Sequence, residues 1–391
     1  MIDPPVPPTS PAVGATSDTA ADLETLRRGI DGIDEQIVDL LSRRHGIVQR
    51  IVALKKASHL PIYHPAREEN LISHRREQAR QAGLDPDHIE ELYRSIIRQS
   101  RVRQTVHAAQ SGVRPGARVL LVGGRGQMGA YFNRWFGQAG YEVRLLDTGD
   151  WERAGELCDG IDLALVSVPI HCTVEVIQKL GSHLPGRCLL ADITSIKQAP
   201  LAAMLAAHAG PVVGLHPLFG PATSSMDKQI VVVSPGREGE ACEWLLDQLA
   251  AWGNIIMPID AAEHDEVMGL VQGILHFASF AFGRFLSERQ LNMARALEFS
   301  SPIYRLELGM VGRLFAQDPG LYADIIFASP ERRALLKEFV VSLQNTHELM
   351  AAGDTEPFKR EFRRIAEWFG PFCDQAMRES TFLIDKLVER F

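Results

Sequence analysis

A glycine-rich turn near residue 125 has the spacing that binds the phosphates of a dinucleotide. The run 119–122 before it is apolar and typical of a buried strand. Gly124, Gly126 and Gly129 fit the pattern G-x-G-x-x-G. Glycines let the backbone approach a pyrophosphate, and the helix predicted to start near Gln127 directs its N–H groups at that anion.

An acidic residue at the end of the next predicted strand supports the same site. The segment YEVRLLD ends in Asp147, 18 residues beyond Gly129, where a carboxylate would meet the hydroxyls of the adenosine ribose. Asp147 would repel a 2′-phosphate, so NAD is favoured over NADP, and Arg125 and Arg144 keep this preference moderate. Strand, helix, strand and acid in this order favour a dinucleotide site over a glycine turn without a ligand. The predicted cofactor-binding residues are Gly124, Gly126, Gln127, Met128, Gly129 and Asp147.

Further polar residues come at the ends of later predicted strands. These are Ser167, Ser195, Lys197 and His216, the last within GLHPLFGP. Ligands of an α/β sheet bind beyond the carboxyl ends of its strands. A histidine that faces a nicotinamide there is poised to accept a hydroxyl proton near neutral pH. A lone histidine is as often a structural hydrogen-bonding residue, and the residues alone leave both interpretations open.

Two cations of the N-terminal segment are spaced to face one pocket. Arg44 and Lys55 are 11 residues apart, about 1100° of helical rotation, and so lie on nearly the same face. Arg27 lies 17 residues before Arg44 and points about 100° away, which indicates a different pocket, that of a partner chain. The pattern fits a helical dimer that binds a dianion. Solvated charges on a helix surface would have the same spacing.

Three predicted helices carry these cations. Apolar residues recur at spacings of three and four over 23–56, which predicts one helix roughly 50 Å long. So long a helix would extend beyond a small domain, so we expect it to pair with a second chain. A second helix is predicted over about 65–82 and a third over about 86–107.

From residue 118 the pattern changes to short β-branched runs that alternate with helices. This pattern predicts a largely parallel, doubly wound sheet of the Rossmann type. Beyond about residue 261 only helices are predicted, among them 264–289 and one that begins with an N-capping Ser301 and a first-turn Pro302. The phenylalanines of 264–289 favour burial against a symmetry mate.

Composition narrows the class of protein. The chain has 391 residues, 46% of them hydrophobic and 23% charged, which predicts a globular protein of two or three domains. A net charge of −8 argues against a general nucleic-acid binder. Five scattered cysteines indicate a reduced, cytoplasmic protein, with neither disulfides nor a metal site expected. We expect no membrane span, because no apolar stretch is expected to reach the roughly 18 residues that a span needs. We expect no secretion, because the N-terminal residues have no basic region followed by an apolar core.

These patterns predict a multidomain chain with an all-α N-terminal domain, an α/β Rossmann-type dinucleotide-binding domain and an all-α C-terminal dimerisation domain. The predicted divisions are a disordered, proline-rich tail over 1–20, the helical domain over 21–108, a linker over 109–117, the Rossmann-type domain over 118–260 and the last domain over 261–391.

The first helical domain resembles the all-helical chorismate mutases over about 85 residues. The resemblance rests on LETLRRGIDGIDEQIVDLLSRRHGIVQRIVALKK, LPIYHPAREENLI and IIRQSRVRQ. It implies that Lys55 and Gln104 polarise the breaking C–O bond of chorismate and that Arg27 comes from the partner subunit. The pocket residues that it implies are Arg27, Arg44, Lys55, Arg67, Glu68, Ser100 and Gln104.

The rest of the chain resembles prephenate dehydrogenase across some 270 residues. The resemblance rests on VLLVGGRGQMG, VSVPIH, ITSIK, GLHPLFGP and SSPIYRLELGMVGRLFAQDP. It implies that His216 is the catalytic histidine, that Arg313 binds the ring carboxylate of prephenate, and that Ser167 orients His216 or the substrate hydroxyl. It further implies supporting residues of the substrate site, namely Lys197, His264 and Arg305.

Taken together, the two resemblances are to the bifunctional chorismate mutase/prephenate dehydrogenases of tyrosine biosynthesis. They imply rearrangement of chorismate to prephenate, then oxidative decarboxylation to 4-hydroxyphenylpyruvate with NAD⁺ as hydride acceptor. A homodimer is expected, and tyrosine is a candidate feedback inhibitor whose site the sequence does not show. Alternatives are an arogenate dehydrogenase and a helical dimerisation or regulatory module without catalysis. A nucleic-acid arm of Arg94, Arg98, Arg101 and Arg103 is disfavoured by the acidic residues around it.

Overall fold

The computed structural model describes residues 17–57, 65–108, 112–237, 239–351 and 353–388. The chain divides after Ala108 into two compact units. Residues 1–16 of the tail predicted over 1–20, and the first residues of the predicted linker, 109–111, lie outside the described residues.

The N-terminal unit consists of three helices, as expected. These are α1 (Ser17–Ala57), α2 (Pro65–Gln81) and α3 (Pro86–Ala108). Residues 17–20 are helical, so the expectation of disorder over 1–20 is wrong for these four positions, where SDTA supplies residue types that favour a helix start. Helix α3 packs against both α1 and α2.

Helix α1 leaves its apolar stripe exposed. The side chains concerned are Leu23, Leu26, Ile30, Ile33, Ile37, Leu40, Leu41, Ile47, Ile51 and Leu54. Leu26 and Leu54 keep 66% and 70% of their surface exposed, although each is large and apolar. A contiguous exposed apolar surface of this kind marks an interaction site.

The second unit opens with a doubly wound sheet, which confirms the predicted α/β architecture. The strands are β1 (Arg118–Val122), β2 (Glu142–Leu146), β3 (Leu163–Val166), β4 (Leu189–Asp192), β5 (Val212–Pro217), β6 (Ile230–Pro235) and β7 (Ile255–Pro258). Their order is β2-β1-β3-β4-β5-β6-β7, and all neighbours are parallel except β5 and β6. The connecting helices are α4 (Gln127–Gln138), α5 (Ala154–Cys158), α6 (Ile170–Gly181), α7 (Gln198–Ala207) and α8 (Glu240–Ala251).

Side chains of each central strand alternate between two hydrophobic cores. Val119 and Leu121 of β1 join one core with aromatic residues of α4 such as Phe136. Leu120 and Val122 join the other core. Because both faces of the sheet are covered, the central strands are apolar throughout, and polar groups occur only where strands end. This arrangement concentrates the chemically useful side chains at the carboxyl edge.

The remaining chain is helical, as predicted. Its helices are α9 (Ala261–Met268), α10 (Leu275–Glu288), α11 (Met293–Glu298), α12 (Pro302–Phe315), α13 (Pro319–Ile326), α14 (Pro330–Ala351), α15 (Thr355–Phe369) and α16 (Phe372–Val388). The predicted cap of α12 is present, because Ser301 Oγ accepts the Tyr304 N–H at 3.3 Å and Pro302 occupies the first turn.

The helix predicted over 264–289 differs in detail. It begins three residues earlier and contains a π-helical turn, Gly269–Ile274, between α9 and α10. Helix α14 packs against this turn, and a Cβ on Gly273 would lie 3.1 Å from Cδ of Arg332. Such turns insert one residue into a helix and re-aim its side chains, which periodicity alone does not reveal.

By length and composition, the run Ala261–Glu288 meets the criteria for a membrane span. The expectation that no apolar stretch reaches this length is therefore wrong. The run packs against α7, α12, α13 and α14 of the same unit. One or two such helices are weak evidence for a membrane, since interface and core helices of globular proteins have the same composition.

Candidate functional site

The turn after β1 is built so that only glycine fits. Gly123 has φ +79°, a left-handed conformation that favours glycine, and a Cβ there would overlap the carbonyl of Ser167. A Cβ on Gly129 would overlap the carbonyl of Gly123. The turn is closed by the Gly126 N–H, which donates to the Gly123 carbonyl at 3.0 Å. Gly123 was not predicted, although the adjacent pair Gly123-Gly124 could have indicated a position with positive φ.

The predicted anion site at the start of α4 fits a dinucleotide. Gly126 is the N-cap and has no side chain to accept a hydrogen bond from the first N–H groups of the helix. Gln127 begins the helix and is exposed, whereas Met128 packs against the sheet core, so its backbone rather than its side chain faces the turn. A pyrophosphate would accept these N–H groups, and the glycine cradle leaves it room.

Asp147 lies directly after β2 and beside this turn. Its Oδ2 accepts from the guanidinium of Arg125 at 3.1 Å, and its Oδ1 lies 3.5 Å from the Arg125 amide. The carboxylate is therefore within reach of a ligand held on the glycine turn, as predicted for a residue that contacts ribose hydroxyls.

His216, at the end of β5, belongs to a hydrogen-bonded row of side chains that continues through His264 to Asp265. His216 Nδ1 lies 2.9 Å from His264 Nε2, and His264 Nδ1 lies 2.8 Å from Asp265 Oδ1. Both histidines are buried, with 2% and 0% of their surface exposed. On its other side, His216 Nε2 lies 3.2 Å from the side-chain nitrogen of Gln272 in the π-helical turn.

This row of side chains assigns the tautomers. A carboxylate only accepts, so His264 donates its Nδ1–H to Asp265, and in the neutral form of the ring Nε2 is the acceptor. His216 must then donate its Nδ1–H to His264, which leaves the lone pair of His216 on Nε2. The Gln272 amide donates to that lone pair, while its Oε1 is buried with no partner among the described residues. Nε2 of His216 is thus the atom that can accept a proton.

A buried ion pair between Lys197 and Asp192 lies close to His216. Lys197 Nζ donates to Asp192 Oδ2 at 2.5 Å and to the Leu215 carbonyl at 2.7 Å, and its side chain is fully buried. Burial lowers the pKa of Lys197, and Asp192 opposes that shift. With its ammonium committed in this way, Lys197 holds β4 to β5 next to His216, which favours a positioning role over direct contact with a substrate.

Burial also keeps His216 neutral. It lowers the pKa of His216 well below the usual range, and the positive charges of Lys197 and Arg332 lower it further. For Asp265, burial alone would raise the pKa. Hydrogen bonds from His264 and from the amides of Gln198 and Lys197 outweigh this effect and lower it. A neutral histidine beside an ionised carboxylate is the arrangement that a general base requires.

Three of these residues were not predicted from the sequence. Asp265 accepts the backbone N–H of Lys197 at 2.7 Å and that of Gln198 at 3.0 Å, so it joins α9 to the start of α7. Gln272 reaches His216 only because of the π-helical turn. Arg332 comes from α14, is 5% exposed, and donates to the Ile325 carbonyl at 2.7 Å. Adjacency of Asp265 to a predicted site histidine was the one available signal.

The other predicted residues of this unit are placed less closely together. Ser167 follows β3 and borders the glycine turn, and no hydrogen bond joins it to His216 among the described residues. Arg305 donates to the Leu297 carbonyl at 2.5 Å, at the end of α11. Arg313 is exposed on α12. Burial raises the pKa of Tyr322, and the positive charge of Arg313 opposes part of that rise.

Arg313 can nevertheless be traced to the histidine site through neighbouring residues. Tyr322 stacks edge to face on His276, with ring centroids 4.9 Å apart. His276 lies four residues after Gln272 on the same helical run, and Gln272 contacts His216. Arg313 is thus linked to His216 only through these intermediate residues, and no direct contact between the two is present among the described residues.

The N-terminal unit places part of the second predicted pocket. Arg44 Nη1 donates to Ser100 Oγ at 2.6 Å, and burial lowers the pKa of Arg44. Beside Arg44, a groove along α1 is lined by Leu40, Arg43, Ile47, Val48 and Ile51. Glu68 of α2 pairs with Arg101 of α3, and both side chains are largely buried. Arg101 therefore forms part of the helix packing, which removes it from the basic nucleic-acid arm considered above.

The remaining residues of that pocket are not brought together in one chain. Arg27 is exposed, about 26 Å along α1 from Arg44 at 1.5 Å per residue. Arg67 is exposed on α2. Lys55 and Gln104 belong to α1 and α3, but their side chains lie outside those that the structure describes.

Comparison with known proteins identifies all three segments. Residues 26–105 match the family model of chorismate mutase type II. Residues 138–255 match the nucleotide-binding domain of prephenate dehydrogenase, and residues 260–364 match its dimerization domain.

Full-length relatives and a solved structure agree with these matches. The chain is 43% identical to the T-protein of Enterobacter agglomerans over 364 residues, which are 93% of this chain and 97% of the relative. It is 39% identical to the T-protein of Haemophilus influenzae with the same coverage. The crystal structure of prephenate dehydrogenase from A. aeolicus, in complex with hydroxyphenyl propionate and NAD+, superposes with a TM-score of 0.53 at 17% identity. That match covers 65% of this chain and 97% of the other, and confirms the fold.

Proposed function

The chain belongs to the T-protein family of bifunctional chorismate mutase/prephenate dehydrogenases, and on this premise we propose which of its residues carry out each reaction. It is an enzyme of tyrosine biosynthesis that rearranges chorismate to prephenate and oxidatively decarboxylates prephenate to 4-hydroxyphenylpyruvate. The observation that carries the second assignment is the chain Asp265–His264–His216, which leaves a lone pair on His216 Nε2.

NAD⁺ binds on the glycine turn in this proposal. The cradle of Gly124, Gly126 and Gly129 and the first N–H groups of α4 hold its pyrophosphate, and Asp147 receives the ribose hydroxyls. When bound, NAD⁺ supplies the acceptor for the hydride that leaves the substrate. The domain match and the NAD+ held by the A. aeolicus enzyme support this assignment.

His216 is the general base of the dehydrogenase reaction. Its Nε2 accepts the proton of the 4-hydroxyl of prephenate as the carbon loses its hydride. Loss of the ring carboxylate as CO₂ then makes the ring aromatic, and the proton on Nε2 can return to the phenolic oxygen. Gln272 donates to the same nitrogen, so this hydrogen bond must give way when the substrate hydroxyl donates there. His264, Asp265 and Lys197 position the base, and Ser167, which borders the glycine turn, orients His216 or the substrate hydroxyl.

Arg313 binds the ring carboxylate of prephenate. Its support is its place on α12 beside Tyr322, along the path to Gln272 and His216. Because this carboxylate must leave, Arg313 should hold it without stabilising the ground state too strongly. Arg305 supports the cleft by holding α11 to α12 through the Leu297 carbonyl.

The mutase site uses charge and hydrogen bonds without a covalent intermediate. Arg44, held by Ser100, binds one carboxylate of chorismate next to the apolar groove of α1. Lys55 and Gln104 polarise the ether oxygen of the breaking C–O bond, and Arg67 and Glu68 complete the pocket. Positioning and electrostatic stabilisation are sufficient for such a rearrangement.

The chain works as a homodimer. Its support is the exposed apolar stripe of α1 and the match of 260–364 to a dimerization domain, where Phe280 and Phe285 are 44% and 51% exposed. Arg27 belongs to the partner's mutase pocket, since it lies far from Arg44 along one helix. Each pocket is then completed by the second copy.

We propose a cytoplasmic location, and tyrosine remains a candidate feedback inhibitor. All five cysteines are free, and burial raises the pKa of Cys158 to about 11 and that of Cys188 to about 12, as suits reduced thiols. Inhibition by tyrosine would regulate the supply of its own precursor, and adding tyrosine to the assay below tests it.

The experiment supplies chorismate and NAD⁺ to the purified full chain and follows NADH formation. A signal requires both reactions in sequence, so it is the expected result. Prephenate as the starting substrate isolates the second reaction, and arogenate in parallel distinguishes an arogenate dehydrogenase. No NADH from prephenate, with rapid NADH formation from arogenate, would replace the proposed substrate.

A further inference from the structure

A guanidinium beside the predicted ribose site is held by two carboxylates. Arg125 stands between Gly124 and Gly126 in the sequence of the glycine turn. Its Nη1 donates to Asp147 Oδ2 at 3.1 Å and to Asp150 Oδ2 at 2.6 Å. Arg125 is exposed, whereas the side chains of Asp147 and Asp150 are only about one-fifth exposed. The arginine therefore lies at the surface of the turn with its charge directed at the two acids.

Asp150 is held in place by the backbone after β2. Its Oδ2 accepts the Asp147 N–H at 3.0 Å, and its own N–H donates to the Asp147 carbonyl at 2.9 Å. The carboxylate is thus fixed where it faces Arg125. Hydrogen bonding to Arg125 lowers the pKa of Asp150, so it stays ionised.

The local charge determines which dinucleotide fits. Two carboxylates face one guanidinium in the cluster of Asp147, Asp150 and Arg125, which therefore carries a net negative charge. Arg153, the next cation near Asp150, pairs with Glu156 at 2.9 Å. At this cluster NAD⁺ presents two ribose hydroxyls, which can donate to Asp147. NADP⁺ presents a 2′-phosphate, which is repelled by the acids and needs an arginine that is free to bind it.

The second nearby arginine has other partners. Arg144 of β2 donates to Glu142 at 2.9 Å and to the carbonyls of Glu156, Leu157 and Asp159. Arg144 therefore holds β2 to the end of α5. It provides a matched control, because removal of this arginine should not alter the choice of dinucleotide.

We propose that Asp150 is a selectivity residue of the cofactor site, which binds Arg125 and so withholds it from a 2′-phosphate. Asp147 selects for the ribose hydroxyls, whereas Asp150 acts through Arg125. The inference rests on the proposed use of NAD⁺ and adds a second residue to its selectivity.

Equilibrium binding on the full-length protein tests the proposal. Isothermal titration with NAD⁺ and with NADP⁺ compares the wild type with Asp150→Asn, which keeps an oxygen for the Asp147 N–H. NADP⁺ should bind Asp150→Asn at least about fivefold more tightly, while NAD⁺ affinity should change by less than about twofold. Asp150→Ser, which also keeps an acceptor, repeats the test if the asparagine variant fails to fold.

A double variant separates release of Arg125 from simple loss of charge. Arg125→Gln combined with Asp150→Asn should lose the gain in NADP⁺ affinity, and Arg144→Gln should leave both affinities unchanged. Unchanged NADP⁺ affinity in Asp150→Asn, or a gain that persists without Arg125, would overturn the proposal. A wild type that binds neither dinucleotide would instead refute the proposed cofactor.

Discussion

Nδ1 of His216 lies 2.9 Å from Nε2 of His264, and the two rings meet edge to face with centroids 5.1 Å apart. The contact joins a strand end of the Rossmann sheet to the first helix of the C-terminal domain. Because His264 also donates to Asp265, the pair has one consistent assignment of protons. The proposed base of the dehydrogenase is therefore positioned by residues from two domains of the family.

Asp265→Asn should impair the dehydrogenase by removing the charge that fixes the tautomers. His264 then no longer needs to donate from Nδ1, and a share of the molecules loses the lone pair on His216 Nε2. We expect kcat with prephenate to fall by about 100-fold or more. The asparagine oxygen can still accept one of the two amides at the start of α7, but its NH2 faces the other donor, so Tm should fall while the protein stays folded. Steady-state rates and thermal unfolding check this, and an undiminished rate in a folded variant would remove Asp265 from the account.

Arg332→Met should move the pH dependence of the dehydrogenase. The Arg332 charge lowers the pKa of His216, and the charge is lost in this variant, so the pKa rises. Protonated His216 cannot accept a proton, so activity should be lost at a higher pH than in the wild type, by up to about one pH unit. Profiles of kcat/KM against pH provide the measurement.

Arg332→Lys is the matched control for that shift. It keeps the buried charge but not the shape of the guanidinium, so it should lower Tm while leaving the acidic limb of the profile in place. If both variants moved the limb equally, a structural role of Arg332 would explain the result instead.

Arg27 and Arg44 provide a test for the shared mutase pocket. Each single change to alanine should abolish most mutase activity. Mixed dimers of the two variants, formed by co-expression, contain one pocket with both arginines if Arg27 comes from the partner. Random assortment then restores about a quarter of wild-type mutase activity. Verified mixed dimers without any recovery would indicate that each chain supplies its own Arg27.

Lys55→Ala should abolish the mutase reaction and spare the dehydrogenase. The ammonium is proposed to polarise the ether oxygen, a contact that matters most in the transition state. The neighbouring Lys56→Ala is the control, since successive positions of a helix differ by about 100° of rotation. Consumption of chorismate and oxidation of prephenate are measured separately. A normal mutase rate in Lys55→Ala would contradict the assignment of this site.

The sequence predicted the elements and the strand-end residues because these depend on local patterns. Short apolar, β-branched runs located the strands. Parallel strands bring their carboxyl ends together, so His216 and the glycine turn fell on one edge. The N-cap at Ser301 is likewise a local signal. Family resemblance added roles that no spacing could supply, such as that of Arg313.

The rest depended on long-range packing. Asp265 meets the backbone of Lys197 across 68 positions of the chain, and Arg332 reaches the histidine site from α14, a helix that lies late in the sequence. Gln272 faces His216 because a π-helical turn shifts the helical period, which a 3.6-residue pattern conceals. From the sequence, Arg125 was expected to moderate the preference for NAD. Only the structure shows that the guanidinium is bound by Asp150.

His216→Asn tests the central claim most directly, that one chain holds two independent sites and that His216 is the base of the second. The asparagine fits the buried position but cannot accept the hydroxyl proton as imidazole does. The variant should consume chorismate at nearly the wild-type rate, accumulate prephenate and form NADH at least about 100-fold more slowly. Wild-type NADH formation, or an equal loss of both activities in a folded protein, would contradict the account.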